Sequence, residues 1–131
     1  MLVKIVFDSK TGNVKRFVAK LPFSDIVQLD ANMVVDEPFL LITYTTGFGT
    51  MSPTTRAFLE NNGQNLRGVA ASGNRIWGDN FAHSADVIRE TYHVPILHKF
   101  ELSGTSSDVH AFIQGVENYA TKSSTKVGSA Q

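Results

Sequence analysis

Three times along this chain an apolar, β-branched run gives way to a loop of Gly, Ser, Thr and Asn, and the loop to a stretch with helical spacing. Leu2–Phe7 leads into Asp8-Ser9-Lys10-Thr11-Gly12-Asn13, Phe39–Tyr44 into residues 45–52, and Leu66–Ala71 into residues 72–79. A continuous apolar run closed by turn residues reads as a strand covered on both faces; a half-exposed strand would alternate instead. Buried strands separated by helices pair in parallel, because the return path needs a crossover.

The intervening segments supply those crossovers. Val14, Phe17, Val18 and Leu21 recur along one helical face that Pro22 ends. Ser52-Pro53 gives an N-cap side chain followed by Pro at the first helical position, with Phe58 and Leu59 facing inward and Asn62-Gly63 as the stop. A third helix is expected from about Asn80 to Tyr92, with Phe81, Ala85, Ile88 and Tyr92 on one face. Ser106-Ser107-Asp108 caps a last one, with Val109, Phe112, Ile113, Val116 and Tyr119 on its buried side. Asp25–Asp30 is a weak edge strand, and Val94–Leu102 the final strand with Pro95 near its start. The expected fold is α/β: a flavodoxin-like, doubly wound parallel sheet of five strands, order 2-1-3-4-5, with helices on both faces. Residues 1–120 are expected to form one domain, and the polar stretch 121–131 a mobile tail.

Composition agrees and excludes several chemistries. A chain of 131 residues with 42% hydrophobic residues and nine Phe has the length and material for one core. Twelve Lys and Arg balance twelve Asp and Glu, so the positive excess that nucleic-acid binding needs is missing. There is no cysteine, which removes disulfides, thiolate nucleophiles and Cys-based metal sites. His83, His93, His98 and His110 are scattered and lack a carboxylate at ligand spacing, so no metal site is expected. No apolar run is long enough to span a bilayer, and the first residues lack the basic start of a signal peptide. A cytoplasmic protein is the expectation.

In such sheets ligands bind beyond the carboxyl ends of the strands, where the strand order reverses. The three polar loops fall there together. Ser9-Lys10-Thr11-Gly12-Asn13-Val14 runs from strand straight into helix, so hydroxyls and backbone N–H groups would face an anion such as phosphate. An ordinary turn with an Asn cap fits the same residues. Thr45-Thr46-Gly47-Phe48-Gly49 can bring backbone close to a flat ligand, or be a plain glycine-rich turn. The third loop places Ser72, Gly73 and Asn74 beside Trp77 and Gly78; a loop Trp stacks on a ring as readily as it fills core. Glu101 and Asp108, flanking Ser103-Gly104-Thr105, read as capping residues. A phospho-receiver domain would need an acidic cluster after strand 1 and an Asp ending strand 3. Only Asp8 stands at the first place, and Thr45-Thr46 at the second.

Taken together these residues resemble the NrdI family, small flavodoxin-like FMN proteins that accompany class Ib ribonucleotide reductase. The resemblance covers residues 1 to about 117. It rests on Asp8–Val14 with Arg16-Phe17, on Thr45–Gly49, on Arg67-Gly68-Val69-Ala70-Ala71-Ser72-Gly73-Asn74-Arg75, and on Lys99-Phe100-Glu101-Leu102-Ser103-Gly104-Thr105. Ile76 departs from it, since the family usually has Asn there, and Val14 stands where many flavodoxins place a hydroxyl. The resemblance implies an FMN whose phosphate lies on Ser9, Lys10, Thr11, Gly12, Asn13 and Val14. Its ring would rest between the second loop and Trp77, with Asn74 and Gly78 near the ring edge, and Gly47 would move its backbone when the flavin is reduced. In the family, an unidentified reductant supplies electrons and the reduced flavin converts dioxygen to an oxidant. That oxidant reaches the dimanganese site of the reductase small subunit, where a tyrosyl radical forms. The role is that of an accessory redox flavoprotein.

A general electron-transfer flavodoxin is the alternative, and a flavin-free binding module a third reading. Carriers surround the ring with acids, which disfavour the reduced anion. Here the ring loops carry Asp79 and Arg75, one of each sign. The two one-electron potentials are therefore expected to lie close together.

Overall fold

The strands and helices follow in the order β1 (Lys4–Phe7), α1 (Asn13–Val18), β2 (Asp25–Gln28), β3 (Phe39–Thr46), β4 (Thr50–Met51), α2 (Pro53–Asn62), β5 (Leu66–Gly73), α3 (Ser84–Tyr92), β6 (Ile96–Glu101) and α4 (Ser106–Ser129). The computed structural model describes residues 3–46 and 50–129, with residues 120–129 described by backbone alone. The strands form one sheet in the order β2-β1-β3-β5-β6, all parallel along this path. With the two-residue β4 set aside, that is the expected five-strand order.

The apolar runs are continuous because each central strand has two faces to bury. Leu40 and Ile42 of β3, with Ile5, Phe7, Ala70 and Phe100, pack against Val14, Phe17 and Val18 of α1 and against Val109, Phe112 and Val116 of α4. Phe39 and Leu41, with Val6, Val69 and Ala71, pack against Phe58 and Leu59 of α2 and Ala85 and Ile88 of α3. The period of two along β3 thus splits one run between two cores. The first core is centred on Phe17, whose ring stacks on Phe100 at 4.0 Å and meets Phe112 edge-on at 5.8 Å.

Several element bounds differ from the sequence expectation. β4 pairs antiparallel with the end of β3, and the Thr46 and Thr50 hydroxyls meet at 2.8 Å. Two residues are too few for any periodicity to show. The third helix begins at Ser84, not Asn80, because a 3-10 turn over Arg75–Asn80 intervenes and Ala82 has a left-handed φ of 49°. The helical backbone of α4 continues past Tyr119 to Ser129. Its cap is reciprocal: Thr105 N donates to Asp108 at 2.8 Å, and Asp108 N donates to the Thr105 hydroxyl at 3.3 Å. Thr105 therefore does what Ser106 and Ser107 were expected to do.

Candidate functional site

The first loop starts from a buried charge. Asp8, 6% exposed, accepts hydrogen bonds from Ser52 Oγ at 2.5 Å and Thr55 Oγ1 at 2.7 Å. Thr55 also meets the Thr43 hydroxyl at 2.8 Å, and Ser52 caps α2 by accepting from Thr55 N at 3.0 Å. One carboxylate thus ties the ends of β1 and β3 to the start of α2. Past it the chain turns through Gly12, whose φ of 91° places it in the left-handed region and makes it the N-cap of α1. Gly12 itself has no side chain to cap the helix. Asn13 turns elsewhere, which removes the ordinary Asn-capped turn, and Ser9 Oγ accepts from Lys15 N at 3.2 Å. Lys10 and Thr11 make no side-chain hydrogen bond among the described residues.

The second loop follows Tyr44, Thr45 and Thr46, which are the last residues of β3, not loop residues. The Thr45 hydroxyl meets Ser84 Oγ at 2.8 Å, anchoring the strand end to α3. Burial pushes the Tyr44 phenol above its ordinary pKa; a hydrogen bond with Ser52 opposes this and the Asp8 charge adds to it. Gly47, Phe48 and Gly49 lie outside the described residues.

The third loop is pinned from β6. Ser72 and Gly73 close β5; Ser72 Oγ donates to Leu102 O at 2.6 Å, and Leu102 N donates to Gly73 O at 3.0 Å. A Cβ on Gly73 would lie 2.5 Å from Ala82 N, so only glycine fits between the strand end and the returning chain. Asn74 caps the 3-10 turn by accepting from Ile76 N at 3.1 Å. Glu101 caps no α-helix but accepts the N–H of Arg75, the first residue of the 3-10 turn, at 3.0 Å, and pairs with the Arg75 guanidinium, which lies over the Phe81 ring. Lys99 donates to Asp86 at 2.6 Å and to Phe81 O at 3.4 Å.

The first and third loops meet at the end of β3. A cleft of about 300 Å³ is lined by Ser9, Lys10, Thr11, Asn13 and Val14, by Tyr44, Thr45 and Thr46, and by Ser72, Gly73, Asn74, Trp77 and Leu102. Gly12 and Gly78 stand outside the lining, and with φ values of 91° and 57° they shape the backbone beside it. Tyr44 and Leu102 are lining residues the sequence reading missed. Tyr44 ends the central apolar run, and Leu102 enters from a strand end with a left-handed φ of 54°. Trp77 is 41% exposed at the rim, and Ile76, 81% exposed, points away from any polar role in the cleft. A wider depression of about 550 Å³ lies at the opposite strand ends, between Leu59 and Tyr92. Its lining, which includes Glu60, Thr91, Tyr92 and His93, lies away from the carboxyl strand ends where ligands bind in such sheets.

The family described as NrdI flavodoxin like matches residues 5–114. A protein NrdI of Bacillus licheniformis is 60% identical over 126 residues, covering 96% of both chains. This chain belongs to the NrdI family. Among its relatives, protein NrdI of Macrococcus caseolyticus is 45% identical over 90% of this chain and 94% of its own. The SPbeta prophage-derived protein NrdI of Bacillus subtilis is 41% identical over 97% of this chain and 100% of its own. Two solved flavodoxins share the fold. A short-chain flavodoxin associated with a PDU bacterial microcompartment has a TM-score of 0.71 at 18% identity, covering 93% of this chain and 99% of that one. The Streptococcus pneumonia TIGR4 flavodoxin has a TM-score of 0.65 at 23% identity, with the same coverage of 93% and 99%. NrdI membership with a flavodoxin-like fold implies a flavin site. No helix among the described residues is long and apolar enough to cross a membrane, and none of their side chains group as a metal site.

Proposed function

We propose that the cleft binds FMN and that the protein, with its flavin reduced, supplies an oxidant made from dioxygen to the dimanganese site of a class Ib ribonucleotide reductase small subunit, in the cytoplasm. The observation that carries the reading is the convergence of the first and third loops of the family pattern with the Tyr44–Thr46 end of β3 on one cleft, at the carboxyl ends of β1, β3 and β5. The residues present fit the group. Gly12 offers no side-chain cap, Ser9 Oγ takes only the Lys15 N–H of the first turn of α1, and Lys10 and Thr11 stand beside it uncommitted. Ser9, Lys10, Thr11, Gly12, Asn13 and Val14 would hold the phosphate. Thr45, Thr46, Gly47, Phe48 and Gly49 would flank the ring on one side and Trp77 on the other, with Ser72, Gly73, Asn74 and Gly78 along its edge.

FMN when bound supplies one- and two-electron redox chemistry and reactivity toward dioxygen. The chain's part is orientation and electrostatics. The described lining carries Lys10 and no carboxylate, while Glu101 is engaged by Arg75. Negative charge added in the cleft meets Lys10 in the lining and carboxylates only behind it, where Asp8 acts on Tyr44. A general electron carrier benefits from the opposite arrangement. Protein purified without added flavin is expected to be yellow, and redox titration to give two one-electron potentials close together. Widely separated potentials favour the carrier, and a colourless chain that takes up no FMN overturns the reading.

A further inference from the structure

The segment Lys99–Thr105 stands out in the sequence, yet of it only Leu102 lines the cleft. Its Ser103 reaches the first loop from behind. Ser103 Oγ donates to Asn13 Oδ1 at 2.9 Å and accepts from Arg16 Nε at 2.9 Å. Arg16 Nη2 closes the ring by donating to the same Asn13 oxygen at 2.6 Å. The three side chains form a closed cycle between segments 87 to 90 residues apart in the chain. Lys20 Nζ adds bonds to Ser103 O at 3.3 Å and Gly104 O at 3.2 Å. Gly104, with φ 73°, lets the segment press on Phe17, where a Cβ would come within 2.7 Å of the ring.

This cycle sits against the Gly12 turn. Arg16 Nη1 occupies the space behind Gly12, 2.8 Å from where a Cβ would stand. Asn13 belongs both to the cycle and to the cleft lining. Its side chain is held by Ser103 and Arg16 and does not fold back to cap α1. Ser9 takes the Lys15 N–H, and the Asn13 and Val14 N–H groups make no hydrogen bond among the described residues.

We propose that Ser103 is a positioning residue for the phosphate end of the cleft. Through Asn13 and Arg16 it holds the Gly12 turn in the conformation that receives a phosphate monoester. The inference rests on the FMN reading and adds a residue to it that does not touch the ligand. It separates the two ends of the flavin: Ser103 acts on the phosphate and not on the ring.

The test is titration of flavin-stripped protein with FMN and with riboflavin, which has the ring but no phosphate. Ser103→Ala is expected to weaken FMN binding about fivefold to tenfold, the loss of one to two hydrogen bonds that order the loop, and to leave riboflavin binding unchanged. Ser103→Thr keeps the hydroxyl and should restore FMN affinity. Arg16→Lys keeps the charge but loses the fork, and should reproduce the phosphate-selective loss even if Ser103→Ala folds poorly. Wild-type FMN affinity in both Ser103→Ala and Arg16→Lys overturns the inference. So does an equal loss for FMN and riboflavin, which would mean general loosening of the cleft. Protein that binds riboflavin and FMN equally in the wild type overturns the phosphate role alone, and wild type that binds neither overturns the FMN reading with it.

Discussion

Removing the Asp8 carboxylate tests whether a buried charge organises the loop end of the sheet. Asp8→Ala deletes an acceptor of two short hydroxyl bonds, from Ser52 at 2.5 Å and Thr55 at 2.7 Å. Hydrogen bonds to a charged group each contribute about 1.5–3 kcal/mol net. Thr55 keeps its Thr43 partner at 2.8 Å, so its share falls at the low end. Relief of the desolvated charge offsets part of the rest. The sum is a loss of about 3 kcal/mol, which for a domain of this size lowers Tm by about 9–15 °C. The assay is urea unfolding of the flavin-stripped protein, since bound flavin would add stability by mass action. Asp8→Asn keeps one acceptor oxygen and should cost only about half as much. A loss below about 0.5 kcal/mol for Asp8→Ala, or Asp8→Asn as damaging as Asp8→Ala, refutes the network argument.

Trp77→Ala should weaken FMN binding about fivefold or more if the indole stacks on the ring, and wild-type affinity in that variant removes Trp77 from the site. Gly73→Ala puts a Cβ 2.5 Å from Ala82 N and 2.9 Å from Ala82 Cα, backbone atoms that cannot swing aside. It should cost about 1–3 kcal/mol in thermal unfolding and weaken flavin binding; an unchanged Tm would show that the third loop is not pressed on β5 there. Burial raises the Asp108 carboxyl pKa, but hydrogen bonds from His98 and from Thr105 outweigh it and hold the group below its ordinary value. Because the unfolded chain then binds more protons, this stabilisation is present above about pH 4 and lost as pH falls further. Asp108→Asn should flatten that part of the acid limb in pH-dependent melts, and an identical acid limb contradicts the assignment.

The architecture was legible because its signals are local. The continuous runs at Phe39–Tyr44 and Leu66–Ala71 announce strands buried twice, and the Ser52-Pro53 cap is a contact three residues long, Thr55 N to Ser52 Oγ at 3.0 Å. The gathering of Ser9, Thr45 and Asn74 in one cleft followed from strand order alone. What stayed hidden depends on distant pairs. Nothing near Asp8 indicates that Ser52 and Thr55, 44 and 47 residues away, turn a loop acid into a buried anchor. The placement of Asn13 likewise hangs on Ser103, 90 residues on, so local sequence suggested an Asn cap where the structure has Ser9 Oγ on Lys15 N. The late start of α3 comes with Ala82, whose left-handed φ of 49° falls where the chain passes close over Gly73. Helical spacing through Phe81 and Ala85 could not show it.

Aerobic loading of a manganese-containing class Ib reductase small subunit, with and without this protein carrying reduced FMN, reads the proposed function directly. The account predicts a tyrosyl radical, seen by electron paramagnetic resonance, only when the reduced flavoprotein and dioxygen are both present. Radical formed to the same yield without the protein, or none formed with it, contradicts the account.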